Sequence, residues 1–183
     1  AVTNNGLGVA RVAPSARIVP VRVLGTCGGY TSDIAAGVVW ASGGTVSGIP
    51  ANAYPARVLN LSLGGSGACG TTMQNAINSA RSRSAMLVIS AGNSNTNASN
   101  ASPANCAGVI TVGATTRTGA RASFSNYGSV VDVAAPGEGI LSTLNAGSTV
   151  PGADSYASYD GTSMATPHVA GVAALMLAKN AAL

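Results

Sequence analysis

Residues 161–171 read GTSMATPHVAG and open a C-terminal segment made almost wholly of small and apolar residues. A segment that is apolar on all sides predicts a fully buried helix, here over residues 162–179. Ser163 falls in the first turn, beside backbone N–H groups that have no partner within the helix. Such a place suits a nucleophile and the oxyanion it generates, although a serine at a helix start also serves as a plain cap.

Upstream of this helix, apolar β-rich runs alternate with helical patterns. The pattern predicts strands over residues 17–24, 57–63, 86–91, 109–114 and 130–134, with loop-rich insertions over residues 43–56 and 145–157. It predicts helices over residues 32–41 and 71–83, capped by Ser32 or Asp33 and by Thr71 or Thr72. This alternation predicts an α/β fold, a mainly parallel sheet between two helical layers, in a single domain over residues 1–183.

Composition narrows the classes of function. Charged residues make up 8% and hydrophobic residues 46%, which is typical of a packed core and not of a disordered chain. The nine basic residues are scattered without interleaved aromatics, so we expect no nucleic-acid partner. The apolar run of the last helix, residues 169–178, is too short to cross a membrane, and we expect no membrane partner.

A second candidate site residue is Asn93, in the sequence SAGNS at residues 90–94. An amide just beyond a strand end can donate to a developing alkoxide, together with the N–H of Ser163. Taken alone, an asparagine there is more typical of a turn, and only the Ser163 motif in the same chain favours the functional interpretation. Because ligands bind at the carboxyl ends of parallel strands, we expect the loops 24–30, 62–67 and 90–94 to border one cleft.

Three cysteines are present, and their spacing matches no zinc site. Cys69 and Cys106 lie in loops that flank the same predicted helix–strand unit. If the protein is secreted, they are the favoured disulfide pair. Cys27 is then left without a partner in this sequence.

The motif at residues 161–171 resembles the nucleophile motif of the subtilisin-like serine proteases, the subtilase family. Residues 23–30, VLGTCGGY, resemble a segment of secreted bacterial subtilases. The resemblance implies a subtilisin-like fold, secretion, and serine endopeptidase activity on peptides or proteins, with Asn93 in the oxyanion hole. It also implies substrate-binding segments, which are Ser62, Leu63, Gly64, Gly65, Ser90, Ala91, Gly92, Gly28, Gly29 and Tyr30.

This set of candidate residues lacks a general base. The only histidine, His168, follows Ser163 by five residues, about 140° around a helix, and cannot readily accept the serine proton. The resemblance implies that His168 is structural; Asp33 is interpreted as a helix cap and Asp160 as a turn residue. Residues 2–16 resemble the subtilase stretch that follows the catalytic histidine. We therefore expect an N-terminally truncated catalytic domain, inactive by itself, whose partner is the missing segment with the histidine and the aspartate.

The same resemblance implies a structural calcium loop, with the ligands Thr3, Asn5, Leu7 and Val9, although an ordinary Asn-Gly turn explains the residues equally well. Two other functions stay open. One is a non-catalytic homologue that only binds peptides. The other is a serine-carboxyl peptidase of the sedolisin type, in which an aspartate would stand in place of Asn93.

Overall fold

A computed structural model describes residues 4–183 of the chain. Three α-helices and eight strands follow one another in the order α1 Thr31–Ala41, β1 Val58–Leu61, β2 Gly65–Ser66, α2 Thr71–Arg81, β3 Met86–Ser90, β4 Ala101–Ser102, β5 Ile110–Thr115, β6 Val133–Pro136, β7 Ile140–Asn145, β8 Asp154–Tyr159 and α3 Thr162–Lys179. A short 3-10 helix, Ala98–Asn100, precedes β4.

The central sheet has four strands in the spatial order β1-β3-β5-β6, and every pair in it is parallel. In the register, Leu59 lies opposite Leu87 and Val88 opposite Ile110. Because all four strands run the same way, their carboxyl ends meet at one edge of the sheet. The loops that follow β1, β3 and β6 therefore emerge at the same edge of the sheet, which positions the site described below.

Helices cover both faces of the sheet, as the strand pattern predicts. On one face, Leu59, Leu87 and Ile89 form a buried cluster with residues of α1 and α2, among them the fully buried Ile77. On the other face, Val88 and Val112 pack with Ala165 of α3. Neighbouring residues of one strand thus enter different cores, which is why the strands read as continuous apolar runs. The predicted three-layer α/β/α arrangement is confirmed.

The expectation that the last helix is buried on all sides is wrong for its second half. Ala165 and Thr166 are fully buried, but Val172, Leu175 and Met176 are 49%, 45% and 52% exposed. These three residues form an apolar surface on α3, on a side of the helix that no other described part of the chain covers. We call them the exposed α3 patch.

The strand predicted over residues 17–24 is not formed. The segment has no regular secondary structure and belongs to no ladder among the described residues, and Ile18 is 79% exposed. Side chains of Val21 and Val23 pack beside Gly37 of α1, so its apolar residues do contact the fold. The apolar pattern of residues 17–24 correctly predicted that some of these side chains pack against the fold. A strand also needs a neighbouring strand for its hydrogen bonds, and β1, at the edge of the sheet, pairs only with β3.

Other boundaries also differ from the prediction. Both early helices begin after a residue without a capping side-chain hydrogen bond: Tyr30 for α1 and Gly70 for α2, so the predicted caps are wrong. Ser32, Asp33, Thr71 and Thr72 lie inside the first turns. The loop predicted over residues 145–157 holds the turn of the antiparallel hairpin β7–β8 and most of β8; both strands are mostly exposed and therefore give no apolar run. The other four predicted strands agree with β1, β3, β5 and β6 within three residues, whereas the two-residue strands β2 and β4 were not predicted.

A disulfide joins Cys69 to Cys106, with the two Cα atoms 5.1 Å apart, which confirms the favoured pair. It ties the start of α2 to the turn before β5. Cys27 is exposed and carries a free thiol. Within residues 4–183, no helix combines the length and the apolar character needed to span a bilayer.

Candidate active site

Ser163 is the second residue of α3 and is bound to the end of β1. Its hydroxyl donates to the carbonyl oxygen of Ser62 over 3.4 Å, and the Ser62 hydroxyl donates to the carbonyl oxygen of Ser163 over 2.8 Å. The second bond has a local cause. Pro167, four residues after Ser163, has no N–H with which to make the helical hydrogen bond to this carbonyl. The Ser62 hydroxyl takes the place of that missing donor.

Asn93 lies beyond the end of β3 and is oriented by the first residue of α3. Its side-chain oxygen accepts two hydrogen bonds from Thr162, one from the backbone N–H over 2.8 Å and one from the hydroxyl over 2.7 Å. The Thr162 hydroxyl in turn accepts the N–H of Gly92 over 3.1 Å. Because the oxygen end of the amide is bound to the helix, the nitrogen end is the one presented to the cleft.

Gly161 leaves the space that this amide nitrogen faces. A Cβ atom built on Gly161 would lie 3.3 Å from Asn93 Nδ2 and 3.6 Å from the backbone nitrogen of Ser163. Both donors therefore border one small volume at the tip of α3. As the second residue of the helix, Ser163 has no intrahelical acceptor for its N–H. Two N–H donors that converge in this way can bind an anionic oxygen.

The end of β6 also contacts the tip of α3. The N–H of Gly161 donates to the carbonyl oxygen of Gly137, immediately after β6, over 2.8 Å. A Cβ on Gly137 would lie 2.6 Å from the Cβ of Ala114 and 2.7 Å from the carbonyl oxygen of Gly161, so only glycine allows this approach. The helix tip is thus attached to β1, β3 and β6.

The predicted walls of the substrate cleft adjoin the serine. Ser62 contacts it directly, and Leu63 and Gly64 continue from there to β2, where Gly65 pairs with Ser102 of β4. Opposite them, Ser90 and Ala91 are buried at the end of β3, and Ala91 donates to the carbonyl oxygen of Val112. Gly92, with φ of +101°, turns the chain toward Asn93.

Gly28, Gly29 and Tyr30 lie together before α1. Gly25 and Gly28 form a tight turn through two backbone hydrogen bonds, and Tyr30 is 79% exposed. These residues line a shallow cleft of about 560 Å³. Among the described residues, no hydrogen bond joins this cleft to the Ser163 cluster, whereas hydrogen bonds link the other two segments to the start of α3.

The remaining polar candidates lie outside the Ser163 cluster. The Nδ1 of His168 bonds to the carbonyl oxygen of Met164 over 2.9 Å, which holds the ring against its own helix. Asp160 accepts the N–H of Gly139, consistent with a turn residue, whereas Asp33 caps nothing through its side chain. In the N-terminal loop, the Asn5 side-chain oxygen accepts the N–H of Leu7 over 3.1 Å. Thr3 lies outside the described residues.

Sequence reasoning missed three supporting groups. They are the Thr162 hydroxyl, the Ser62 hydroxyl and the side chain of Asn126, which binds the loop that carries Asn93. Thr162 lies in the motif at residues 161–171 and Ser62 in the predicted substrate-binding segment at residues 62–65. The sequence therefore did indicate hydroxyl groups near the candidate site. Asn126 offered none, because nothing in its neighbourhood indicates that it contacts a loop 30 residues upstream.

Comparison with known proteins decides the family. A family model described as "Subtilase family" matches residues 1–183. The chain belongs to the subtilase family. It is 66% identical over 176 residues to a protein named "Extracellular protease" from Xanthomonas campestris pv. campestris, a match that covers 96% of this chain and 30% of that protein.

Other relatives agree. A protein named "Extracellular basic protease" from Dichelobacter nodosus is 54% identical over 97% of this chain and 29% of its own length. Among solved structures, a protease from Pseudoalteromonas arctica superposes with a TM-score of 0.95 at 61% identity, over 97% of this chain and 55% of that one. The fold of this subtilase chain is therefore subtilisin-like. The chain spans about 30% of the length of the first two relatives.

Proposed function

We propose that this subtilase chain carries the nucleophile and the oxyanion hole of a serine endopeptidase. Ser163 would attack the scissile carbonyl carbon of a bound peptide, and its hydroxyl proton would pass to a histidine outside this sequence. The bond from the serine oxygen to carbon forms as the carbonyl π bond opens to an oxyanion. Loss of the amine, protonated by that histidine, leaves an acyl-enzyme, which water hydrolyses.

One observation carries this proposal. The amide of Asn93 is turned by Thr162 so that its nitrogen and the N–H of Ser163 border the same volume at the helix tip. That is the arrangement that stabilises negative charge on a substrate oxygen during acyl transfer. In subtilisin, removal of an asparagine donor from the oxyanion hole costs about 2.7–4 kcal/mol of transition-state stabilisation.

The proposed partner is an N-terminal segment of the same protein that carries the histidine and the aspartate. Three features support it. His168, the one histidine of the sequence, has its Nδ1 bonded to its own helix and lies about 140° around α3 from Ser163, so it is not placed to accept the serine proton. Residues 17–24 and the outer edge of β1 both lack ladder partners among the described residues. The exposed α3 patch supplies apolar surface for such a segment to cover.

A direct test compares the chain with and without that segment. Residues 1–183 alone should show little or no turnover of a chromogenic peptide amide, because the serine has no base. The protein that includes the upstream segment should be active, and Ser163→Ala in it should abolish activity above the residual level of the oxyanion hole alone. Robust turnover by residues 1–183 alone would contradict the absence of a base.

A second candidate function follows from the same missing base. The segments beside Ser163 could bind an extended peptide as an added strand without cleaving it. In that case the protein with its upstream segment would bind peptides with the same affinity before and after Ser163→Ala, and would turn over neither. Turnover that depends on Ser163 excludes this function.

The proposed setting is extracellular, with peptides or proteins as substrates. Relatives carry names such as "Extracellular protease", and the Cys69–Cys106 disulfide suits an oxidising compartment. Detection of the protein in the culture medium of its host would test this part.

Calcium remains a proposal for the N-terminal loop. The Asn5 side-chain oxygen has one acceptor position occupied by Leu7 and one left, and the carbonyl oxygens of Leu7 and Val9 are further hard donors of the type that calcium prefers. Bound calcium would brace this loop and take no part in the chemistry. A rise in the thermal midpoint with CaCl₂ over EDTA that Asn5→Ala removes would support the site, and an equal midpoint in both would exclude it.

A further inference from the structure

Asn126 is a buried asparagine that the proposed mechanism does not use. It lies between β5 and β6, is 4% exposed, and both ends of its side-chain amide form hydrogen bonds. The side-chain oxygen accepts the N–H of Ser94 over 3.0 Å and the N–H of Thr96 over 3.1 Å. The side-chain amide donates to the carbonyl oxygen of Ala91 over 2.8 Å. One side chain thus binds the loop of residues 91–96 at three points.

The Thr96 hydroxyl also donates to the Asn126 side-chain oxygen, over 3.3 Å, and the backbone N–H of Asn126 donates to the carbonyl oxygen of Gly92 over 2.9 Å. The bond to Gly92 holds the peptide group that precedes Asn93, and the bond from Ser94 holds the peptide group that follows it. Both peptide planes on either side of the Asn93 Cα are therefore attached to Asn126. The position of that Cα depends on a residue 33 positions further along the chain, counted from the residue numbers.

The fit between the loop and Asn126 is tight. A Cβ built on Gly92 would lie 2.5 Å from the Asn126 side-chain nitrogen, and Gly92 has a φ of +101°. Thr162 binds the amide head of Asn93 from the helix, whereas Asn126 binds its backbone from the sheet side. The amide nitrogen reaches the cleft at the right place only when both attachments hold.

We propose that Asn126 is a positioning residue for oxyanion stabilisation, acting through Asn93. This inference rests on the proposed function. It predicts that Asn126→Ala lowers kcat by about 10- to 100-fold, since a displacement of about 1 Å in a catalytic group costs up to about 100-fold. KM should change by less than about twofold, because no ground-state contact to the peptide is removed.

The test is a double-mutant cycle in the active protein that includes the upstream segment. Asn126→Ala and Asn126→Ser, which keeps a small hydrogen-bonding group, are each made alone and together with Asn93→Ala. If Asn126 acts through Asn93, either change at Asn126 should alter kcat by less than about twofold once the Asn93 amide is gone. The serine variant should be less impaired than the alanine variant, and serves in the cycle if alanine does not fold.

Asn52 offers a matched control. Its amide donates to the carbonyl oxygens of Trp40 and Ala41 and its oxygen accepts the N–H of Tyr54, but it lies beyond the end of α1, at the opposite edge of the sheet. Asn52→Ala should lower the thermal midpoint and leave kcat within about twofold of the parent.

Equal fractional losses of kcat with and without the Asn93 amide would overturn the inference, as would a change confined to KM or an unchanged kcat in Asn126→Ala. These outcomes differ from failure of the proposed function, in which Ser163→Ala would keep full activity or the parent protein would show no turnover.

Discussion

Ser62 and Ser163 exchange hydrogen bonds through hydroxyl and carbonyl groups, so the end of β1 and the start of α3 are bound residue to residue. The exchange exists because Pro167 removes the helical donor to the carbonyl of Ser163. A break in helix bonding thus creates the attachment that holds the proposed nucleophile at the strand end. The Ser62 hydroxyl supplies the hydrogen bond that the partly buried carbonyl of Ser163 lacks within the helix. Substitution of either partner tests this relationship.

Ser62→Ala should lower the free energy of unfolding of the chain by about 1–2 kcal/mol, because it leaves the Ser163 carbonyl unpaired. Adding Pro167→Ala restores an N–H four residues after Ser163, so the double variant should recover most of that loss. Urea denaturation of the parent, the two single variants and the double variant measures the coupling. Additive effects would mean that the two groups do not serve the same carbonyl.

Thr162→Val should lower kcat by about tenfold in the active protein, since valine has the shape of threonine but leaves Asn93 with one orienting bond and Gly92 without an acceptor. The measurement is kcat and KM on a chromogenic peptide. Thr111→Val is the control, because that buried hydroxyl donates to Ala104 near the start of β5, away from the site. An unchanged kcat in Thr162→Val would show that the backbone N–H alone orients the amide.

Gly92→Ala should destabilise the chain more than Gly119→Ala. Both glycines have positive φ, +101° and +85°, so both substitutions carry a backbone cost of about 1–2 kcal/mol. Only at Gly92 would the new Cβ meet another group, the amide of Asn126 at 2.5 Å, which adds overpacking of about 1–3 kcal/mol. Unfolding free energies from urea titration give the difference, and equal losses would show that the Asn126 side chain moves away without cost.

Removal of the disulfide by Cys69→Ala with Cys106→Ala should lower the free energy of unfolding by about 2–4 kcal/mol. The bond closes a loop of 37 residues, for which the chain-entropy estimate is about 4 kcal/mol at most. The parent should lose the same amount when unfolded in a reducing agent, and the double variant should not respond to the reductant. A parent equally stable with and without reductant would contradict this.

Several features were predictable from short stretches of sequence. The parallel sheet followed from apolar runs of strand length separated by helical patterns, because strands buried on both faces need apolar residues at every position. Ser163 at a helix tip followed from the eleven residues 161–171 alone. Asn93 was a candidate because its motif follows a strand. Its position near the cleft was expected because the carboxyl ends of parallel strands meet at one edge of the sheet.

The strand over residues 17–24 shows why part of the fold escaped prediction. Periodicity reports where apolar side chains are buried, but a ladder requires a second backbone with free hydrogen-bonding groups beside it. In the same way, the exposed side of α3 has the composition of a buried helix, because composition does not reveal which layer, if any, covers it.

By itself, the sequence determined the family, the sheet with its helical layers, and the residues whose chemistry is local, since neighbouring residues and strand order are sufficient for them. Only the tertiary structure decided that Thr162 turns the Asn93 amide, that Ser62 replaces the donor lost at Pro167, and that Asn126 holds the Asn93 loop. Those hydrogen bonds join residues 30 to 101 positions apart, and no local pattern specifies which distant donor meets which acceptor until the layers are packed.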